Sequence, residues 1–507
     1  MSYFESLVPD ITEKIIDQLI KTPEVAEWKE LQKVQLLYDN ALGPEYPQSM
    51  SSESRAYRLR AWTPVAVCGM IVDKIASTLY SRTVNRTTGD EGLDALMTAG
   101  PWRQMGRLML RTAKIASIAG NAVIRLRPVY PAGVGYATLG VGDAFPILDP
   151  DDPHGPVIGM VYDYLDESII SQMSRGAGGG GTIVHVKEII TRHIRDKEGA
   201  IVYPGIHARF ENGDRIEIDD GGYNPLGDYL DCIYWRGLEH PVDGRGRSDI
   251  LPLLDTLQAM NESLTDAHEL IQWNLWPIIW TDAIDAEIPY SPRTIVNVGD
   301  NARGDAAKLQ RLEWSGNQSG AWREVFDRLA TLMHETARVP AISTGDMSAV
   351  SALSSGRAYE IAMTPLMEAN REREAMAVEQ EKDLMETTIA MLAYYGHTEG
   401  LTDRNEHAEV QSPDMAKIRE RMLNRSVEFA PVRLAKDKMA EAQVRSVLRG
   451  AGIESAEVAI RTLHPDWSDD QIIKELERVG EDEPEAVDAS AEERIKAAQE
   501  KLKQIAE

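Results

Sequence analysis

The residues that could do chemistry are few, and their spacing works against most enzymes. His334 and Glu335 open an HExx pattern on a predicted helix, but the fourth residue after His334 is Arg338. A zincin helix needs a second imidazole there, so the pair reads as a surface His and Glu. Asp149, Asp151 and Asp152 crowd three carboxylates into a Pro-containing turn. That turn lacks the glycine and terminal glutamate of an EF-hand loop. His185, His193 and His207 fall in predicted strands with no carboxylate or thiolate at ligand spacing, and hydrogen-bonded or solvated imidazoles are expected. Asp282, Asp285 and Glu287 lie in a polar insertion and read as solvated acids. No Gly-Lys dipeptide occurs, which removes the P-loop, and no Gly-x-Ser-x-Gly elbow is present. The glycines at 176–181 precede a strand, not a helix, and read as a linker. The expectation is no catalytic residue, no metal and no cofactor.

Two other groups invite a role. Trp273, Trp276 and Trp280 gather near the end of a long predicted helix, and Trp314 follows in the insertion. Stacking platforms for nucleic acid interleave such rings with basic residues, and here those are missing, so a subunit or inter-element interface is expected. Residues 340–356 form a small, polar loop carrying Ser343, Thr344, Asp346, Ser348, Ser351, Ser354 and Ser355. A loop of that length inside a compact chain is expected to be functional.

The 507 residues carry 54 Lys and Arg against 81 Asp and Glu, a net charge of −27. That balance argues against a sequence-specific DNA binder and against docking on anionic membranes. Apolar residues make up 43% of the chain, enough for sizeable cores. Cys68 and Cys232 are too few for a disulfide framework and are expected to be buried thiols. The start, MSYFESLVPDITEK, has neither the basic residues nor the apolar run of a secretory leader, and no uncharged stretch reaches spanning length. A soluble, intracellularly made protein is expected.

The elements that must position these residues change period along the chain. Apolar spacing predicts helices over 10–20, 24–38, 55–79 and 102–119, the last closed by Gly120. Alternation then predicts strands at 122–127, 157–164, 182–194, 201–210, 215–218 and 229–235, an antiparallel meander with an Asn212-Gly213 hairpin turn. Gly246-Arg247-Ser248-Asp249 returns the chain to helix, with Ser248 or Asp249 as cap and one apolar stripe from 248 to 276. Short strands at 294–298 and 307–314 follow, then a return helix over 321–338. A long helix is predicted over 357–395, kinked at Pro365, and helical hairpins close the chain.

This order resembles the portal proteins of tailed bacteriophages, in the form found in siphophages. The resemblance runs from about residue 55 to 475 and is carried by GRSDILPLLDTLQAMN at 246–261, EVFDRLATLMHETARVP at 324–340 and SSGRAYEIAMTP at 354–365. It implies an α+β portal fold assembled as a dodecameric ring at one capsid vertex. DNA would be packaged and ejected through the ring's channel without sequence specificity. By the resemblance, residues 1–247 are the wing body, 248–277 the first stem helix, 278–320 the clip and 321–339 the second stem helix. Residues 340–356 are the tunnel loop, 357–411 the kinked wing helix and its return, 412–480 the crown and 481–507 an acidic tail. The implied partners are further copies of the chain, double-stranded DNA, a terminase, a head-completion adaptor, and the major capsid and scaffold proteins, with no membrane. The implied place is the virion portal vertex, after assembly in the host cytoplasm. A non-conducting oligomeric head or scaffold protein is the alternative, and a hydrolase using His334 and Glu335 or the Asp149–Asp152 turn a third.

Overall fold

The computed structural model describes residues 62–129, 133–140, 142–149, 152–166, 184–195, 198, 200–216, 222–241, 244–275, 279–281, 308–311, 317–344, 356–398, 400–404, 411–430, 455–463 and 469–481, with residues 14, 16, 17, 38 and 39. The chain forms two compact units. Met1–Gly345 with Pro365–Ala430 make the first, and Asp346–Thr364 with Pro431–Glu507 the second.

The first unit mixes helices and antiparallel sheets. It opens with α1 (Val67–Tyr80), β1 (Val84–Thr87), α2 (Glu91–Ala99) and a 3-10 turn (Pro101–Gln104) leading into α3 (Met105–Ala119). Of the helix predicted over 55–79, with Pro64 as a start or kink, residues 55–61 lie outside the described residues, Trp62–Pro64 are not helical, and α1 follows from Val67. Pro64 disfavours helical backbone in the residue before it. Next come β2 (Asn121–Val129), β3 (Gly133–Leu139), β4 (Ala144–Ile147), β5 (Gly159–Asp166), β6 (Val184–Thr191), β7 (Ile194–Arg195), β8 (Ile201–Tyr203), β9 (His207–Glu211), β10 (Asp214–Ile216), β11 (Cys232–Arg236), β12 (Leu238–Glu239) and β13 (Gly246–Arg247). The expected single meander is two main sheets, of order β10-β9-β6-β5-β4 and β11-β2-β3. The predicted strand 182–194 breaks because Arg192 N–H turns to Ile158 C=O and His193 N–H to Gly227 C=O. Asn212 and Gly213 both take positive φ, 50° and 95°, and close the β9–β10 hairpin as a two-residue turn.

The five-stranded sheet is buried on both faces. Val161, Ile189, Ala208 and Phe210 pack on one side with Ile16 of the N-terminal helical residues. Met160, Tyr162 and Ile190 face the other side, against Val123, Cys232 and Tyr234 of the three-stranded sheet. The period-2 alternation of β5 is what sends Met160 and Val161 to opposite cores. A third core gathers α1, α2 and α3 with β2 and the later helices, through Met105, Met109, Ala113 and Ala116 at helical spacing on α3.

Beyond β13 a 3-10 turn (Leu251–Leu253) enters α4 (Leu254–Leu275), so the helix predicted from 248 begins six residues later as a true α-helix. A hairpin pairs β14 (Ile279–Thr281) with β15 (Leu309–Arg311) before α5 (Asn317–Ala337), a 3-10 turn (Ala341–Thr344) and α6 (Gly356–Tyr394). The predicted strand 294–298 lies outside the described residues. β16 (Thr402–Arg404) and β17 (Gln411–Pro413) pair, followed by α7 (Met415–Arg421) and β18 (Ser426–Phe429). β18 pairs antiparallel with β1, so residues 411–430, expected to open the crown at 412, are elements of the first unit. In the second unit, α8 (Ala456–Leu463) packs on α9 (Asp469–Glu481), burying Ile460 and Ile472. Among the described residues no helix is long and apolar enough to cross a membrane.

Candidate functional site

The Gly-Arg-Ser-Asp segment at 246–249 has a specific job: it clasps the end of α3. Gly120 sits at φ +83°, and a Cβ there would lie 2.3 Å from Gly246 O. A Cβ on Gly246 would lie 1.9 Å from Gly120 O, so the two backbones cross where neither can carry a side chain. Asn121 Oδ1 accepts from Gly246 N at 2.6 Å. Ser248 Oγ donates to Ile118 O at 2.5 Å and accepts from Leu251 N at 3.0 Å, so it caps the 3-10 turn that leads into α4. Asp249 takes a different role from the predicted cap. It accepts from Ser117 Oγ at 2.6 Å and from Arg373 Nη2 at 2.5 Å, bridging α3 to α6.

The helix pair that follows is joined at one end by a tryptophan that spacing arguments passed over. Trp322 Nε1 on α5 donates to Ser263 O on α4 at 2.7 Å, and its ring stacks on Phe326 at 5.4 Å. Its signal in the sequence is its place at the start of the return helix, where it must meet the helix it runs back along. Leu257, Met260, Asn261 and Thr265 form the buried face of α4. On α5 the outer face stays open, with Val325 54% and Leu332 40% exposed two turns apart. Trp273 and Trp280 lie on α4 and β14, and Trp276 and Trp314 lie outside the described residues. Of the predicted loop residues, Ser343 and Thr344 stand in the 3-10 turn, their hydroxyls donating to Pro340 O at 2.7 Å and Ala341 O at 2.8 Å. Asp346, Ser348, Ser351, Ser354 and Ser355 lie outside the described residues. Pro365 lies inside α6, which is helical on both sides of it, although proline donates no bond to the ladder.

Of the groups weighed for catalysis, Asp151, Asp282, Asp285 and Glu287 lie outside the described residues, and several of the others make local contacts. His334 Nδ1 donates to Val339 O at 2.8 Å, where Arg338 at φ +55° closes α5: Arg338 N donates to Glu335 O and Val339 N to His334 O. Asp152 N donates to Asp149 O at 3.2 Å, a turn bond. His185 pairs with Asp163 on the sheet surface. His193 Nδ1 accepts from Gly205 N at 2.7 Å, and His207 Nε2 donates to Glu188 Oε1 at 2.8 Å. Among the described residues no three His, Cys, Asp or Glu side chains stand together as a metal site. Both cysteines are free and buried, and burial pushes the Cys68 thiol up to about 12.

Between the two sheets lies a buried ionic network. Arg125 on β2 donates to Asp231 at 2.8 Å and to Glu188 on β6 at 2.8 Å, with its guanidinium 4.0 Å from the Tyr162 ring centre. Burial alone would raise the Glu188 carboxyl, but the His207 hydrogen bond and the Arg125 charge outweigh it and hold the group down, to about 2. A second set pins α6: Glu374 meets Arg82 at 2.5 Å, Glu381 meets Arg86 at 2.5 Å and Glu386 meets Arg419 at 2.7 Å. A cleft of about 490 Å³ beside it is lined by Arg192, Tyr229, Arg236, Asp383, Glu386 and Arg419. The Asp383 carboxyl is open to water on the cleft wall, yet crowding by protein and the nearby Glu386 raise it to about 6.

No family model matches the chain, and no curated protein does. Among solved structures, a chain in the neck of a native gene transfer agent particle, computed with C12 symmetry, is similar at 11% identity and a TM-score of 0.39, covering 83% of this chain and 96% of that one. A chain of the native gene transfer agent virion is similar at 11% identity and 0.38, over 85% and 98%. One in the neck of an empty particle, computed with C6 symmetry, is similar at 12% and 0.40, over 83% and 96%.

Proposed function

We propose that this chain is a structural subunit of a phage-type head-to-tail connector, and specifically a portal subunit that assembles into a ring around a DNA channel. One observation carries the reading: α4 and α5 form a helix pair whose connection contains the β14–β15 hairpin, set on a mixed α/β body and followed by the 39-residue helix α6. That is the order of stem, clip, return stem and wing helix that the sequence resemblance implies. The Gly246–Asp249 clasp supports it, because a stem must be fixed rigidly to the body that carries it. Ring closure uses head-to-tail contacts, and the open outer face of α5 supplies a surface for one. Ser343 and Thr344 start the tunnel loop, whose small polar side chains let a duplex slide without gripping bases. The subunit acts as a conduit with no catalytic centre of its own, served by a separate packaging ATPase, and docks a head-completion adaptor at the clip. Imaging of purified full-length particles tests this: a closed ring with an axial opening supports it, and compact dimers or monomers overturn it. Deleting residues 346–355 should leave rings intact while impairing DNA packaging or retention.

A further inference from the structure

In a chain of net charge −27, the outer face of α3 carries a row of exposed arginines. Arg103, in the 3-10 turn before the helix, and Arg107 and Arg111 on the helix are all exposed. None of the three makes an ion pair, whereas Lys114, one turn on, is neutralised by Asp73 at 2.8 Å. Four residues of helix advance about 6 Å, so successive guanidiniums stand about that far apart along one face.

The outer face of α6 carries the opposite sign. Glu374, Glu381 and Glu386 are taken by arginines of the body. Glu368, Glu372, Glu379 and Asp383 are exposed along one face, at a four-residue step within each pair, and Glu379 and Asp383 reach the wall of the cleft, where Glu386 continues the face inward. Among the described residues Glu379 has only Lys382 at 3.8 Å, Glu368 and Glu372 make no ion pair, and Asp383 makes none but feels the charges of Arg425 and Arg419. Arg371 and Lys382 border the row, and Arg419 and Arg425 act on its Asp383 end. Crowding already holds the Asp383 carboxyl at about 6, a cost that an arriving guanidinium would relieve.

We infer that the arginine row of α3 on one copy docks against the carboxylate row of α6 on a second copy. No ion pair joins the two rows among the described residues, and each copy carries both. Filling one therefore leaves the other open, which makes the association head to tail. Duplex DNA is the weaker occupant: three guanidiniums neutralise about three phosphates, against the repulsion of a strongly acidic surface. The pairing deepens the connector reading and rests on it for closure into a ring.

The test is charge reversal in the full chain, with association read by sedimentation from about 50 to 500 mM salt, a range over which screening grows strongly. Arg103→Glu with Arg107→Glu and Arg111→Glu should weaken association about tenfold, as should reversal of Glu368, Glu372, Glu379 and Asp383 to Arg. Combining both reversals in one chain should restore it. The milder Arg107→Gln with Arg111→Gln should weaken it in the same direction with an unchanged melting temperature. Unchanged association in the single reversals, or no restoration in the combined chain, overturns the pairing. So does loss of fluorescent-duplex binding on arginine reversal with association intact, which assigns the row to phosphate. Reversed chains that still form rings with an axial opening would refute the pairing and leave the connector reading standing.

Discussion

At the residue scale, Asp249 is the side chain on which most converges. It and Arg373 are 8% and 7% exposed, and Asp249 also holds the Ser117 hydroxyl. Replacing Asp249 with Ala leaves a buried guanidinium unpaired, and the expected loss is about 3 kcal/mol in chemical denaturation. Glu188 predicts an acid response. Its folded value, about 2, lies below the ordinary 4.5, so its stabilisation is complete above pH 4.5 and is lost as pH falls toward 2. Denaturant midpoints should therefore fall more steeply from about pH 5 to about pH 3 in the native chain than in Glu188→Gln. The Cys68 thiol, pushed up to about 12 by burial, should react with an aromatic disulfide reagent at neutral pH only after denaturant is added. Rapid labelling of the folded chain would contradict that placement. Burial of both cysteines was legible from their small number and apolar settings. The Arg125 network was not, because Arg125, Glu188 and Asp231 are 63 and 106 residues apart and nothing local pairs them.

At the element scale, local chemistry marked the boundaries that local chemistry sets. Gly120 after α3, Asn212-Gly213 between β9 and β10, and the cap at Ser248 all stand where their backbone preferences require. The missed strands are those whose pairing is remote or whose residues disguise them. β1 and β18 find each other across the whole unit, and β4 contains Pro146, tolerated because β4 is an edge strand. Gly246 was visible only as part of a motif, and its reason, contact with Gly120, exists only once the chain has folded back. Gly246→Ala should consequently destabilise far more than an ordinary strand glycine, with loss of folded yield as the readout. For the helix pair, Trp322→Phe keeps the ring stacked near Phe326 but removes the bond to Ser263. The expected cost is about 1 kcal/mol, measured by denaturant unfolding.

At the scale of the whole molecule, the first unit comprises Met1–Gly345 with Pro365–Ala430, and the order of its elements carries the functional reading. The sequence made that order legible because long amphipathic helices and a hairpin signal survive without knowledge of partners. It could not show which faces the body leaves open, since exposure of Val325 and Leu332, or of the arginine row on α3, depends on what every other element covers. The proposed portal role assigns the acidity of the chain to a wall that a polyanion passes without adhering. The central claim is that copies of this chain close into a ring around a channel. Images of the purified full-length protein viewed down the particle axis test it most directly. The account predicts a closed ring with a central opening, and monomers or compact dimers without one would contradict it.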